Sequence, residues 1–166
     1  DPAATRDLEL PPEVRVYWIA GSHHLGAGPT NAGTCRWPLN PLDDRGPVLR
    51  ALYVALDEWV SRGIEPPPSK YPRIADGTLI TVEHFRRQFP QIPGVELPTA
   101  AYEPRRLDFG PRFFTEGIAD QIPPKVGPPW PVRVPVVDAD GNEIGGVRLP
   151  DLAVPLGTYA GWNMRS

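Results

Sequence analysis

The first sustained apolar run, Val14-Arg15-Val16-Tyr17-Trp18-Ile19-Ala20, is dense in β-branched and aromatic residues and stops at Gly21. It predicts a covered strand over residues 14–20, because such side chains pack well on a pleated, buried surface. A second pattern has the helical period. Leu49, Leu52, Tyr53, Leu56, Trp59 and Val60 recur at three- and four-residue steps, one apolar stripe that predicts an amphipathic helix over 47–62. Asp43 or Asp44 is placed to cap its start, Pro47 suits its first turn, and Gly63 suits a left-handed end. A stripe this apolar calls for a sheet or another helix beneath it.

Beyond the helix the periodicity fades. Pro66-Pro67-Pro68 marks a rigid break, residues 76–82 read as a turn and short strand, and residues 83–89 as one or two helical turns. Residues 90–131 carry turn and extended signals, with Phe109, Phe113 and Phe114 as expected anchors. Two β-rich runs, 132–137 and 143–149, flank Asp138-Ala139-Asp140-Gly141-Asn142. An Asp-Gly pair between such runs predicts a hairpin over 132–149, and Pro135 demotes its strand to an edge or a bulge. The tail, residues 155–163, holds Tyr159 and Trp162 and is too aromatic for a solvated end, so it is expected to dock.

Composition sharpens this division. The chain has 166 residues, 24 of them proline, well above the average of ~5 %. Seventeen of the prolines lie from Pro66 onward, and a segment so short of backbone donors builds few central strands or helix interiors. Residues 68–166 are therefore expected to form a proline-rich wrapping extension, and residues 1–67 to belong to an α/β core. The formal net charge is −3, from 17 basic and 20 acidic residues with the signs interspersed. That argues against a nucleic-acid footprint, which needs a clustered basic face. No apolar run approaches the roughly 18 residues needed to cross a bilayer, so no membrane contact is expected. The opening residues, Asp1-Pro2-Ala3-Ala4, carry neither an initiating Met nor the pattern of a signal peptide. They lead us to expect a fragment or a processed product, with the compartment open. A single cysteine, Cys35, excludes an internal disulfide framework.

Candidate chemistry gathers just past Gly21, at Ser22-His23-His24, on a loop rich in glycine and proline that continues through Trp37, Leu39 and Asn40-Pro41. Loops at the carboxyl edge of a sheet commonly carry binding and catalytic groups, and histidine titrates close to working pH. The same residues also fit an ordinary turn with one exposed and one packed imidazole. A nucleophilic serine is missing. The chain has only Ser22, Ser61, Ser69 and Ser166, none within a Gly-x-Ser-x-Gly elbow. His23, His24, His84 and Cys35 match no zinc spacing, so no metal is expected. Asp138-x-Asp140-Gly141-Asn142 opens like a calcium loop, but the twelfth position is Leu149, not a bidentate Glu. Gly26-x-Gly28 and Gly145-Gly146 have no following helix to hold a phosphate.

Taken together, the strand, Ala20-Gly21-Ser22-His23-His24, the glycine loop, Asn40-Pro41 and a helix ending Asp57-Glu58-Trp59-Val60-x-x-Gly63-x-x-Pro66 resemble the carboxyl end of α/β-hydrolases. Within that superfamily the chain is similar to a bacterial group of alpha/beta hydrolase domain proteins. Residues 136–143, Arg148-Leu149-Pro150 and the tail from Pro155 to Asn163 extend that likeness over nearly the whole chain. A looser likeness to tannase and feruloyl-esterase proteins covers only the strand, histidine loop and helix.

The resemblance implies an α/β fold whose last core strand, histidine loop and last helix lie in this chain. It implies that His24, three residues after Gly21, is the base of a serine hydrolase triad, with His23 the alternative. It also implies that the serine and the acid lie before Asp1, on the remaining N-terminal part of the same hydrolase. The substrate would be a small-molecule carboxylic ester, with no cofactor, and the chain alone would be inactive. The alternative is a non-catalytic chain that wraps or binds a partner polypeptide.

Overall fold

A computed structural model describes residues 3–22, 33–36 and 45–166. The longest element is helix α1, Gly46–Arg62. Pro47 occupies its first turn, where a missing N–H is harmless. At the other end the amides of Gly63 and Ile64 turn back onto the Trp59 and Glu58 carbonyls at 3.0 and 3.3 Å, closing the helix as the sequence predicted. The start differs from expectation. The capping position is Arg45, whose side chain makes no capping bond, and Asp43 and Asp44 lie outside the described residues.

Among the described residues, little covers the apolar stripe of α1. No residue of the helix is buried, and Tyr53 and Val60 stand 73 % and 80 % exposed. This corrects the expectation of a covered helix. One described attachment is long-range: the Arg15 guanidinium lies over the Trp59 ring at 4.8 Å and pairs with Glu65, just past the helix, at 2.9 Å.

Strand β1, Leu79–Thr81, runs directly into helix α2, Val82–Gln88. Thr81 ends the strand in extended backbone and its hydroxyl accepts the His84 amide at 3.2 Å, which is why the helix starts there. Strand β1 pairs antiparallel with β2, Arg133–Pro135, setting Ile80 opposite Val134. Phe85 on α2 and Phe89 just past its end bury against Ile80 and the partly buried Val134, Val136, Ile92 and Leu97. Trp162 closes this cluster edge-on, with ring centroids 6.0 and 5.6 Å from the two phenylalanines. A second, bulged antiparallel pair joins β3, Arg105–Asp108, to β4, Lys125–Pro129. Between them helix α3, Phe113–Glu116, stacks Phe113 on Phe109 at 4.6 Å. Phe114, expected as an anchor, is instead 90 % exposed.

The hairpin predicted over 132–149 shrinks to its turn. Val137 bridges Glu143 and the Ile144 amide donates to Val136 at 3.1 Å. Before the turn the chain pairs with β1, and after it Val147 bridges Ile19 in parallel. Pro135 has no N–H to extend a ladder, and Gly146, at φ 87°, breaks the extended backbone of the second arm. Helix α4, Pro150–Ala153, then carries Leu152 onto Ala20 beside Tyr159.

These clusters leave much surface uncovered. The chain exposes 11658 Å², against about 8100 Å² for a folded monomer of its mass. Helices and strands are mixed, as in an α/β protein. Among the described residues, though, the sheets are two small antiparallel pairs, and parallel pairing is confined to isolated bridges.

Two predictions follow from this packing. Phe85→Ala empties the centre of the α2 cluster and is expected to destabilise the fold by about 3 kcal/mol, read as a lower midpoint in thermal unfolding. Asp7 accepts the Ile74 and Ala75 amides at 2.9 Å each. Those bonds, aided by nearby Arg73, hold its carboxyl below the ordinary aspartate value of 3.8. A depressed folded-state pKa stabilises the fold above the ordinary value and loses that contribution as pH falls through the folded one. The N-terminal arm is thus expected to loosen from residues 73–75 only below about pH 3.8, seen as faster amide exchange at Ile74 and Ala75.

Candidate active site

The extended run expected to lead into the site is only partly a strand. Along one edge, Val16, Trp18 and Ala20 bond first to Lys70 and then to Val147, at 2.7 to 3.0 Å. Along the other edge, the Tyr17 amide and carbonyl and the Ile19 amide have no partner among the described residues. Val14, Val16 and Trp18 are exposed, and Ala20 alone is buried. The covered strand of 14–20 is therefore corrected to a singly paired segment with an open edge. Side-chain pattern announced an extended run, but a strand's second neighbour must come from elsewhere in space.

The run ends as its glycine requires. Gly21 sits at φ 66°, in left-handed backbone that glycine enters without strain. Ser22 folds back, its amide and hydroxyl both donating to the Ile19 carbonyl at 3.3 and 2.8 Å. His23 and His24 come next and lie outside the described residues, as do Trp37, Leu39 and Asn40-Pro41.

A polar turn, residues 138–142, braces this strand end. Oδ1 of Asp138 accepts the Asp140 and Asn142 amides at 3.1 and 3.0 Å, and Oδ2 accepts the Arg148 guanidinium at 2.8 Å. Arg148 also donates to the Leu152 carbonyl. Asn142 is fully buried, yet its side chain is satisfied: Nδ2 donates to Gly157 at 2.9 Å and Oδ1 accepts the Tyr159 amide at 2.7 Å. The next residue, Glu143, reaches the strand end. Its Oε2 accepts the Trp18 indole N–H at 2.8 Å and the Gly21 amide at 3.0 Å. A Cβ on Gly146 would overlap Trp18, coming within 2.8 Å of Cδ1, so only glycine lets this arm lie so close.

The remaining candidates do not converge. Ser61 donates to Asp57 at 2.6 Å, Ser69 accepts the Val16 amide at 3.0 Å, and Ser166 donates to Thr34 at 3.2 Å. His84 is exposed at the start of α2, and Cys35 bridges Arg165 through its backbone. Among the described residues no group of three or more His, Cys, Asp or Glu side chains gathers. The calcium-like run at 138–142 is explained by its turn, because both Asp138 oxygens are engaged within the protein. Glu143 escaped sequence reading, since nothing local to Asn142-Glu143 shows that the carboxylate meets a glycine amide 122 residues earlier.

The family model described as alpha/beta hydrolase domain matches residues 2–166. No curated protein and no solved structure matches the chain.

Asn142→Ala leaves the Gly157 carbonyl and the Tyr159 amide without their partner. Each lost hydrogen bond at these partly shielded partners costs about 0.5–1.5 kcal/mol, so the variant is expected to lose about 2 kcal/mol of stability. Chemical denaturation measures the loss, and the Tyr159 amide should exchange faster.

Proposed function

The chain belongs to the alpha/beta hydrolase domain family, and we propose that it is the carboxyl-terminal part of a serine-type carboxylic-ester hydrolase. In this reading His24 is the triad base, and the serine and acid are supplied by the remaining N-terminal part of the same enzyme. His24 takes the serine proton as the ester carbonyl is attacked and returns it to the departing alcohol. The observation that carries the reading is the end of the extended run. A left-handed glycine, held by a carboxylate, turns the chain immediately before His23-His24.

Two further observations support it. Each of Ser22, Ser61, Ser69 and Ser166 is bonded to backbone, which fits a nucleophile from elsewhere. The exposure of the α1 stripe and the edge at Tyr17 and Ile19, without partners among the described residues, fit a further sheet against this face. A non-catalytic chain packing on a partner polypeptide is the second reading. The same bare surface favours it, and it differs in assigning the histidines no chemistry.

In the complete enzyme His24→Ala is expected to lower hydrolysis of a generic aryl ester on the order of 10⁶-fold, while His23→Ala retains most of it. Steady-state rates of the purified variants decide between the readings. Undiminished turnover by His24→Ala removes that residue from the chemistry, and with loss in His23→Ala transfers the role to its neighbour. The isolated chain is expected to show no esterase activity.

A further inference from the structure

Glu143 stands 122 residues beyond Gly21, on the far side of the polar turn, and its carboxylate is carried on a firm mount. Its backbone bridges Val137, and the preceding Asn142 is buried and held through its side chain by Gly157 and Tyr159. From that mount one oxygen, Oε2, takes both the Trp18 indole N–H and the Gly21 amide. Hydrogen bonds to an ionised acceptor are roughly twice as strong as neutral ones. These two donors flank the place where extended backbone gives way to the turn that leads into the histidines.

We propose that Glu143 is a positioning residue of the hydrolytic site, setting where and in which direction the chain leaves the strand end on its way to His24. This inference rests on the reading of His24 as the base. Three peptide units can separate the Cα atoms of residues 21 and 24 by no more than about 11 Å. Only Ser22 and His23 separate the glycine that Glu143 holds from His24. A misplacement of about 1 Å at a reacting group costs on the order of 10²-fold in rate.

The test is steady-state kinetics on the complete enzyme with an aryl ester, comparing wild type, Glu143→Ala, Glu143→Gln and His24→Ala. Glu143→Ala, which abandons both N–H groups, is expected to lower kcat about 10- to 100-fold and leave KM nearly unchanged, measured per folded molecule. Glu143→Gln keeps an amide oxygen that can accept both bonds and is expected to recover most of kcat. Unchanged kcat in folded Glu143→Ala, or a loss carried by KM alone, overturns the inference and leaves the His24 reading intact. Equal loss in Glu143→Gln also overturns it, because the negative charge rather than the tether is then what the site needs. If wild-type hydrolysis does not depend on His24, the hydrolase reading fails and takes this role with it. Should Glu143→Ala fail to fold, Trp18→Phe removes the indole bond alone. It is expected to lower kcat less than tenfold at unchanged KM, and an unaltered kcat there counts against the proposal.

Discussion

The short turn from Asp138 to Glu143 is the constraint on which the described structure hangs. Its side chains hold segments that are remote in sequence: Asp138 through Arg148 to the start of α4, Asn142 to the tail at Gly157 and Tyr159, and Glu143 to Trp18 and Gly21. Each bond is directional and most are shielded, so together they specify one arrangement where a greasy contact would accept several. A buried amide such as Asn142 tolerates only a geometry that satisfies it. The turn thus does the organising that a large core does elsewhere.

That division of labour follows from composition. Proline at 24 of 166 positions removes amide donors and shortens every ladder, so the β pairings are three to five residues long. What apolar packing there is forms two small clusters, one around Phe85, Phe89 and Trp162 and the other around Ala20, Leu152 and Tyr159. The two helices of comparable pattern meet opposite fates. Helix α2 is short, but β1 leads straight into it and so sets its apolar face on the β1–β2 pair. Helix α1 is much longer, yet among the described residues it is held by the Arg15 guanidinium over Trp59, and most of its stripe stays exposed. Hydrophobic pattern states what a helix wants to bury, and only the arrangement of other elements says whether anything is there.

The same logic runs through the candidate site. The strand end, the left-handed Gly21 and the folded-back Ser22 form a launching point for the histidine pair, and the brace that steadies it comes from the opposite end of the chain. In a hydrolase of the kind proposed, the base must be aimed at a hydroxyl it does not share a segment with. A platform anchored by one carboxylate to the strand end, with no partner for its far edge among the described residues, suits assembly with a second body of protein.

Local chemistry decided a good deal by itself. The period of six apolar residues, with Pro47 and Gly63 at the ends, announced α1. Residues 76–82 announced a turn and short strand and residues 83–89 a helical turn or two, Asp-Gly announced the turn at 138–142, and the run ending at Gly21 announced an extended segment leading to two imidazoles. All of these depend on residues within a few positions of one another, where backbone sterics and side-chain periodicity act directly. Tertiary structure alone decided that the second arm of the expected hairpin leaves its partner for Ile19, that α1 lies uncovered, and that Glu143 clasps Gly21. Those outcomes depend on which distant backbone donors reach which acceptors, and a linear pattern carries no record of distance in space.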